Sequence, residues 1–256
     1  MSGSLARVVR VAVTEWTTAL RSRRALVVTL LFVAVSGLVM YGTISVFADI
    51  RGRHPVLLAY AMFIFQVVPL LTLLVSASRV ADDVRSGSAR YWLLRVTRAE
   101  WSLGKFFGEA LMIAAAMAVG TLTAWGVVLG RLSAADGLRM LPGIADWTVR
   151  AWVYAFAWLG LFLGLSHIVK SGGKATALGI LALLGAAAWS PMLANVANGV
   201  PGFGWAAHLD GLVPNAAWTL LWRRTPSVLV QGVVHLGALA FLYLGLGAAV
   251  FRGRAV

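Results

Sequence analysis

Residues able to do acid–base or metal chemistry are few in this sequence, and their arrangement does not favour catalysis. There are nine Asp and Glu residues, four His and no Cys, so thiolate ligands, a cysteine nucleophile and disulfides are all excluded. Asp82 and Asp83 are adjacent, so on a helix they cannot face each other as a general acid–base pair. The sequence has no His-x-x-x-His pair and no Gly-x-Ser-x-Gly nucleophile motif. We therefore expect neither an enzyme site nor a metal or cofactor site in this chain.

His235 and Glu109 are ionisable residues that lie within apolar stretches. An ionisable residue inside a membrane segment is by default a functional candidate, which applies to His235. A neutral histidine that hydrogen-bonds to a neighbouring helix is an equally good interpretation. Glu109 follows Lys105 by one helical turn, so ion pairing with the loop arginines is favoured over proton transfer.

The composition indicates a membrane protein. Hydrophobic residues make up 60% of the chain, charged residues only 12%, and the mean hydropathy is +0.85, whereas soluble domains contain about a quarter charged residues. The net charge of +13 is typical of orientation signals and lipid-headgroup contacts in such a chain, so nucleic acid is not expected as a partner.

Six stretches are long enough to cross about 30 Å of hydrocarbon, which takes roughly 20 helical residues. We predict an all-α polytopic fold with spans at 25–47, 56–78, 106–129, 147–168, 175–194 and 226–251. Residues 130–146, which contain Pro142 and Gly143, are predicted to form an extracytoplasmic loop. Gly160 and Gly164 are predicted to allow close helix packing in the fourth span.

The first 24 residues are too polar to span and are predicted to form an interfacial helix. Leu5, Val8, Val9, Ala12, Val13, Trp16 and Leu20 recur at helical spacing, with most polar residues on the other side. The apolar face is expected in the headgroup boundary, with the arginines toward anionic lipid. The residues assigned to this role are Arg10, Trp16, Arg21, Arg23 and Arg24.

Residues 195–225 are too broken to span and too apolar for a free loop. Gly199, Pro201 with Gly202, and Pro214 divide them into pieces of about ten residues. We predict two short re-entrant helices that close the outer end of a pathway, with a cap lying flat on the headgroups as the alternative. The residues assigned to this outer gate are Phe203, Trp205, Trp218 and Trp222.

The charge distribution predicts that both termini are cytoplasmic. With the N-terminus inside, 15 of the 22 basic residues fall in inside segments, which satisfies the positive-inside rule. Residues 79–105 then form a cytoplasmic loop, joining the second and third spans. Its basic residues are Arg79, Arg85, Arg90, Arg95, Arg98 and Lys105, and its acidic residues are Asp82, Asp83 and Glu100.

This loop resembles the first cytoplasmic loop of the type-2 ABC exporter permeases. The matching elements are Asp82-Asp83, Gly87-Ser88, the run Arg90-Tyr91-Trp92-Leu93-Leu94-Arg95, Thr97-Arg98 and Gly104-Lys105. The family's proline is missing, and the segment is one residue short at Val96. The N-terminal helix, the six spans and the broken segment before the last span extend the resemblance to nearly the whole chain.

The resemblance implies a permease subunit that exports a substrate, dimerises and pairs with a separate ATPase subunit, with ATP and magnesium bound on that partner. It implies a plasma-membrane location and a dimer seam built mainly from the first, second and fifth spans. The loop would form the coupling helix that docks on the ATPase, through Asp82, Asp83, Arg85, Gly87, Ser88, Arg90, Tyr91, Trp92, Leu93, Leu94, Arg95 and Arg98. The chain contains no Walker-type phosphate loop, which agrees with a separate ATPase.

Two other interpretations remain open from the sequence. In the first, the chain is a mechanical or scaffold subunit that relays ATPase movement to other envelope proteins without carrying a solute. In the second, the loop arginines only satisfy the positive-inside rule and the loop aromatics only contact lipid.

Overall fold

The computed structural model describes residues 2–47, 54–199 and 204–253, and within these ranges every regular element is helical. Ten α-helices and one 3₁₀ helix are found there. They are α1 (Ser2–Leu20), α2 (Arg23–Phe47), α3 (His54–Ser76), α4 (Arg79–Ser86), α5 (Ser88–Leu93), α6 (Arg98–Arg131), α7 (Ala134–Ile168), α8 (Gly172–Gly199), the 3₁₀ helix (Gly204–Leu212), α9 (Pro214–Leu221) and α10 (Pro226–Arg252).

Six of the described helices are long and apolar enough to cross a membrane. They are α2, α3, α6, α7, α8 and α10, and each contains one of the predicted spans or most of it. The predicted all-α fold with six spans is therefore confirmed, and the chain is a multi-pass membrane protein.

The prediction of a loop over 130–146 is wrong. Only residues 132–133 separate α6 from α7, and Pro142 lies inside α7. The Ser133 hydroxyl donates to Asp136 Oδ2 at 2.8 Å and accepts the Asp136 amide at 3.1 Å, which starts α7 early. Pro142 removes one backbone hydrogen bond from α7. The helix continues through it because this part of α7 packs closely on α3: a Cβ at Gly143 would lie 2.9 Å from Leu57 Cδ1.

The chain forms two compact units, the first comprising Met1–Val75 and Leu103–Ala155. In this unit α1 packs closely on α6, since a Cβ at Gly104 would lie 2.4 Å from Val11 Cβ and one at Gly108 would lie 2.7 Å from Glu15 Cβ. Lys105 Nζ and Glu15 Oε1 form an ion pair at 2.9 Å, with side chains 1% and 13% exposed. A buried ion pair thus joins α1 to α6.

The N-terminal helix has two apolar faces where the sequence predicts one. Val8, Val11, Ala12 and Ala19 are buried inside the unit, whereas Leu5, Val9, Val13 and Leu20 remain exposed on an adjacent face. Of the residues assigned to the interface, Arg10, Arg21 and Arg23 are exposed and Trp16 is half-buried. Arg23 and Arg24 lie in α2, because α1 ends at Leu20.

The second unit comprises Ser76–Ser102 and Phe156–Val256. Its centre is a close crossing of α7 and α10: a Cβ at Gly160 would lie 2.3 Å from the Ala240 carbonyl oxygen, and one at Gly247 would lie 2.4 Å from the Gly164 carbonyl oxygen. Small residues let the two backbones approach in this way. The predicted close-packing role of Gly160 and Gly164 is confirmed.

Candidate functional site

The charged segment between α3 and α6 folds into two short helices joined at Gly87. This residue has φ +79°, the only positive φ among the described residues, and its amide donates to the Val84 carbonyl at 3.3 Å. Glycine adopts this left-handed conformation without the steric cost that a Cβ brings, so it ends α4 and allows α5 to begin at once. Ser88 is exposed beside this turn, and its hydroxyl donates to the Asp83 carbonyl at 3.4 Å.

Helix α4 is fixed to the second unit. Its residues Val80 and Ala81 are fully buried, and the Ala81 amide donates to Ser166 Oγ on α7 at 3.1 Å. Asp82 contacts the start of α8, since a Cβ at Gly172 would lie 2.3 Å from Asp82 Oδ1. Arg85, which is exposed, pairs with Asp82 at 3.3 Å. Asp82 therefore serves the attachment of α4.

Helix α5 and the turn after it present an exposed mixture of apolar and basic side chains. Tyr91 and Leu94 are 53% and 86% exposed, Arg90 and Arg95 are exposed, and Trp92 and Leu93 are half-buried. Arg95 lies over the Tyr91 ring, with its guanidinium carbon 4.1 Å from the ring centroid, and it donates a hydrogen bond to the Tyr91 hydroxyl.

An open groove of 560 Å³ runs along this turn. Its lining residues are Arg90, Leu93, Leu94, Val96, Thr97 and Arg98. A partner helix or loop that carries an apolar side chain and a carboxylate would find an apolar floor beside the exposed Arg90 here.

A capping box that the sequence reasoning missed sets the start of α6. The Thr97 amide donates to Glu100 Oε2 at 2.9 Å, and the Glu100 amide donates to Thr97 Oγ1 at 3.3 Å. The signal was present, because Thr97-Arg98-Ala99-Glu100 fits the Ser/Thr-x-x-Glu pattern. These bonds place the first residue of α6 directly after the turn that follows α5.

Arg98 was assigned to the partner surface, but its guanidinium lies on the end of α10. Its Nη1 donates to the carbonyl oxygens of Phe251 at 2.5 Å and of Arg252 at 2.8 Å. The guanidinium carbon also lies 5.1 Å from the centroid of the Phe251 ring. Arg85 and Arg95 contact residues within the loop, whereas Arg98 contacts a helix outside it.

A buried cluster lies next to Arg98. Trp101, His167 and Phe251 are fully buried, with Trp101 stacked on Phe251 at 5.8 Å and His167 5.4 Å from Phe251. His167 Nδ1 lies 2.7 Å from the Leu163 carbonyl, which can only accept, so Nδ1 carries a proton. In the neutral ring Nε2 then accepts the Ser102 hydroxyl at 2.8 Å. Sequence reasoning did not single out this cluster, since its members come from α6, α7 and α10.

The segment before the last span begins later than predicted, because α8 continues to Gly199. Two short helices follow, the 3₁₀ helix and α9, and Phe203 lies outside the described residues. Trp205 is 55% exposed, while Trp218 and Trp222 are half-buried and meet edge to face at 5.6 Å.

Consecutive residues at the end of the 3₁₀ helix each receive a side-chain hydrogen bond. From α8, Trp189 Nε1 donates to the Leu209 carbonyl at 3.2 Å and Ser190 Oγ donates to Asp210 Oδ1 at 2.5 Å.

From α10, two further side chains complete this set. His235 Nε2 donates to the Gly211 carbonyl at 2.8 Å, and the Tyr243 hydroxyl donates to the Leu212 carbonyl. A helix end leaves its last carbonyls without internal partners, and these side chains satisfy them. His235 thus hydrogen-bonds a neighbouring segment, as one of its two sequence interpretations expects.

The positions of these donors along their helices show how far the segment lies from the helix ends. At 1.5 Å per residue, Trp189 lies about 15 Å before the end of α8, and His235 and Tyr243 lie about 14 and 26 Å after the start of α10. Side chains on a helix lean toward its N-terminus, which shortens the Tyr243 value by several ångströms. Residues 209–212 therefore lie beside the middle of α10.

Comparison with curated proteins gives no match for this chain. A family model described as ABC-2 family transporter protein matches residues 9–252, which is nearly the whole chain. The match covers α2 to α10 and all but the first turns of α1. The chain belongs to the ABC-2 family of transporter proteins.

Proposed function

We propose that this membrane subunit of an ABC transporter binds a separate ATPase subunit through the loop 79–105, and exports its substrate as a dimer. ATP and magnesium bind on the partner in this arrangement. The loop faces the cytoplasm of a cell whose plasma membrane the six spans cross, with both termini on the same side.

The observation that carries this proposal is the exposed surface of α5 and the following turn. Leu94 is 86% exposed at the edge of a groove that also contains Arg90, and Tyr91 is 53% exposed next to Arg95. Apolar anchors surrounded by charged groups are typical of interface centres. A segment joined so directly to α3 and α6 can pass a rigid movement into the spans with little slack.

Reversing two charges on this surface tests the docking role. Arg90→Glu with Arg95→Glu should reduce the amount of ATPase that co-purifies with the permease by more than about tenfold, because like charges across an interface cost several kcal/mol. The matched control is Arg223→Glu with Arg224→Glu, which reverses two exposed arginines at the other end of the spans. If Arg90→Glu with Arg95→Glu changes neither the recovery of the ATPase nor the coupling of ATP hydrolysis to transport, the docking assignment is refuted.

Dimerisation follows from the need for two docking loops, one for each ATPase. The exposed apolar face of α8 supports a seam that includes the fifth span: Leu181 and Leu184 are 63% and 62% exposed. Among the six candidate spans α8 is the least covered, with 17% of its most apolar stretch buried. The first span, α2, is also poorly covered at 28%.

The outer segment is proposed to be re-entrant and to close the pathway at its outer end. The hydrogen bonds from α8 and α10 to residues 209–212 support this, since they hold backbone beside the middle of α10. Non-helical backbone at membrane depth is tolerated where its polar groups are satisfied by protein. A flat cap on the headgroups would instead require donors near the helix ends.

A further inference from the structure

Two helix ends of opposite polarity meet at Arg98. This residue is the first of α6, and its guanidinium binds the last carbonyls of α10 at 2.5 and 2.8 Å. A positive charge is unfavourable at the N-terminus of its own helix but favourable at the C-terminus of another, where the helix dipole and the unpaired carbonyls are negative. The position of the side chain is therefore set by α10 and not by α6.

The backbone between α5 and α6 has no unbonded amide. The Leu94 amide donates to the Arg90 carbonyl at 3.2 Å, and the amides of Arg95 and Val96 donate to the Trp92 carbonyl at 2.8 and 3.0 Å. The Thr97 amide is held by Glu100 at 2.9 Å. Only residues 94–97 separate α5 from α6, so a displacement of α5 reaches the start of α6 with little slack.

The end of α10 that Arg98 contacts is itself packed tightly against α6 and α7. Phe251 is fully buried, stacks on Trp101 of α6 at 5.8 Å and meets His167 of α7 at 5.4 Å. His167 is held in turn by Ser102 at 2.8 Å and by the Leu163 carbonyl at 2.7 Å. Aromatic packing of this kind resists separation of the α6 start from the α10 end.

We propose that Arg98 is a positioning residue that transmits displacement of α5 to the last span, α10, and takes no part in holding the ATPase. This inference rests on the proposed function, because it needs an ATPase that moves α5. It divides the loop arginines into two classes: Arg90 and Arg95 bind the partner, and Arg98 passes the movement on.

The test uses a spin label on α10. The chain has no cysteine, so Val250→Cys introduces a unique labelling site on an α10 residue that is 50% exposed. In the complex with its co-purified ATPase, the label's mobility is compared with and without ATP and magnesium. Arg98→Gln is then compared with Arg95→Gln, an exposed arginine three positions earlier in the same loop.

We expect Arg98→Gln to keep ATPase recovery and hydrolysis within about twofold of the unaltered complex, because Arg98 contacts α10 and not the partner. The ATP-dependent change in the mobility of the label at residue 250 should be lost. Arg95→Gln should instead lower ATPase recovery. An unaltered ATP response in Arg98→Gln would overturn the proposal. Loss of ATPase from Arg98→Gln to the same extent as from Arg95→Gln would also overturn it, because Arg98 would then be a docking residue.

Amide hydrogen exchange on the permease alone provides a second measurement. Removing the guanidinium should speed exchange in the last turn of α10 by on the order of tenfold, because charge-assisted hydrogen bonds to its carbonyls are lost. Arg95→Gln should leave that turn unchanged. If the unaltered chain retains no ATPase, the proposed function fails, while this exchange result still decides whether Arg98 holds α10; equal exchange in both variants would overturn the contact.

Discussion

The crossing of α7 and α10 should tolerate no added methyl group at Gly247. A Cβ there would lie 2.4 Å from the Gly164 carbonyl oxygen and 2.5 Å from Gly164 Cα, both backbone atoms. Ordinary contacts of this kind need more than 3 Å, so the two helices would have to separate by about 1 Å. No rotamer change can relieve the clash, because the opposing atoms belong to the helix itself.

The same substitution at Gly245 supplies the matched control. Gly245 lies on the same helix and a Cβ there would meet nothing within 4 Å. Replacing glycine by alanine in a helix gains about 1 kcal/mol from backbone propensity, and this gain is common to both variants. Their difference therefore isolates the overpacking cost of about 1–3 kcal/mol.

Thermal unfolding of the permease in lipid nanodiscs measures this difference. At roughly 2–4 °C per kcal/mol for a chain of this size, Gly247→Ala should melt about 5 °C below Gly245→Ala. Gly164→Ala should behave like Gly247→Ala, since its Cβ would lie 2.5 Å from the Tyr243 carbonyl oxygen. Equal melting temperatures for the Gly247 and Gly245 variants would show that the two backbones are not in contact at this position.

Three further predictions follow from other contacts. A cysteine at Leu184 on α8 should crosslink two copies of the chain, whereas one at Leu122 of α6, 60% exposed, should not; equal yields would rule out a seam at α8. With the other ten tryptophans replaced, Trp205 should be quenched most by lipid labels within the acyl region, and quenching confined to the headgroups would favour the flat cap. Lys105→Met should lower the free energy of unfolding by about 3–5 kcal/mol, because it leaves the Glu15 carboxylate buried without its lysine. Adding Glu15→Leu should recover most of that loss. A double variant as unstable as Lys105→Met alone would contradict this account.

The spans could be predicted because their signal is local. A run of about 20 apolar residues forms a membrane-spanning helix because unpaired polar groups are costly in hydrocarbon. This tendency does not depend on the neighbouring helices. The two short helices before α10 were predictable for a related reason, since Gly199, Pro201 and Pro214 interrupt the run at fixed places. The helix boundaries were less predictable: Pro142 indicated a loop, but packing on Leu57 keeps α7 continuous.

The groups that the charged side chains contact could not be predicted from the sequence. Arg95 and Arg98 have the same residue type and lie three positions apart, yet one covers Tyr91 and the other covers the carbonyls of α10. The choice depends on which helix end lies nearby, which is a property of the tertiary fold. The Thr97–Glu100 cap, in contrast, is a local pattern and was readable from the sequence.

The length of α6 converts a small rotation at one end into a large displacement at the other. Its 34 residues form an unbroken rod of about 51 Å, longer than the roughly 30 Å of hydrocarbon it crosses. No proline interrupts it between Arg98 and Arg131, so it bends little over that distance. A rotation of about 5° about its Arg98 end would displace its Arg131 end by about 4 Å, more than the radius of a water molecule or a small ion. A small angular change at Arg98 thus becomes a displacement of several ångströms at the opposite face of the membrane.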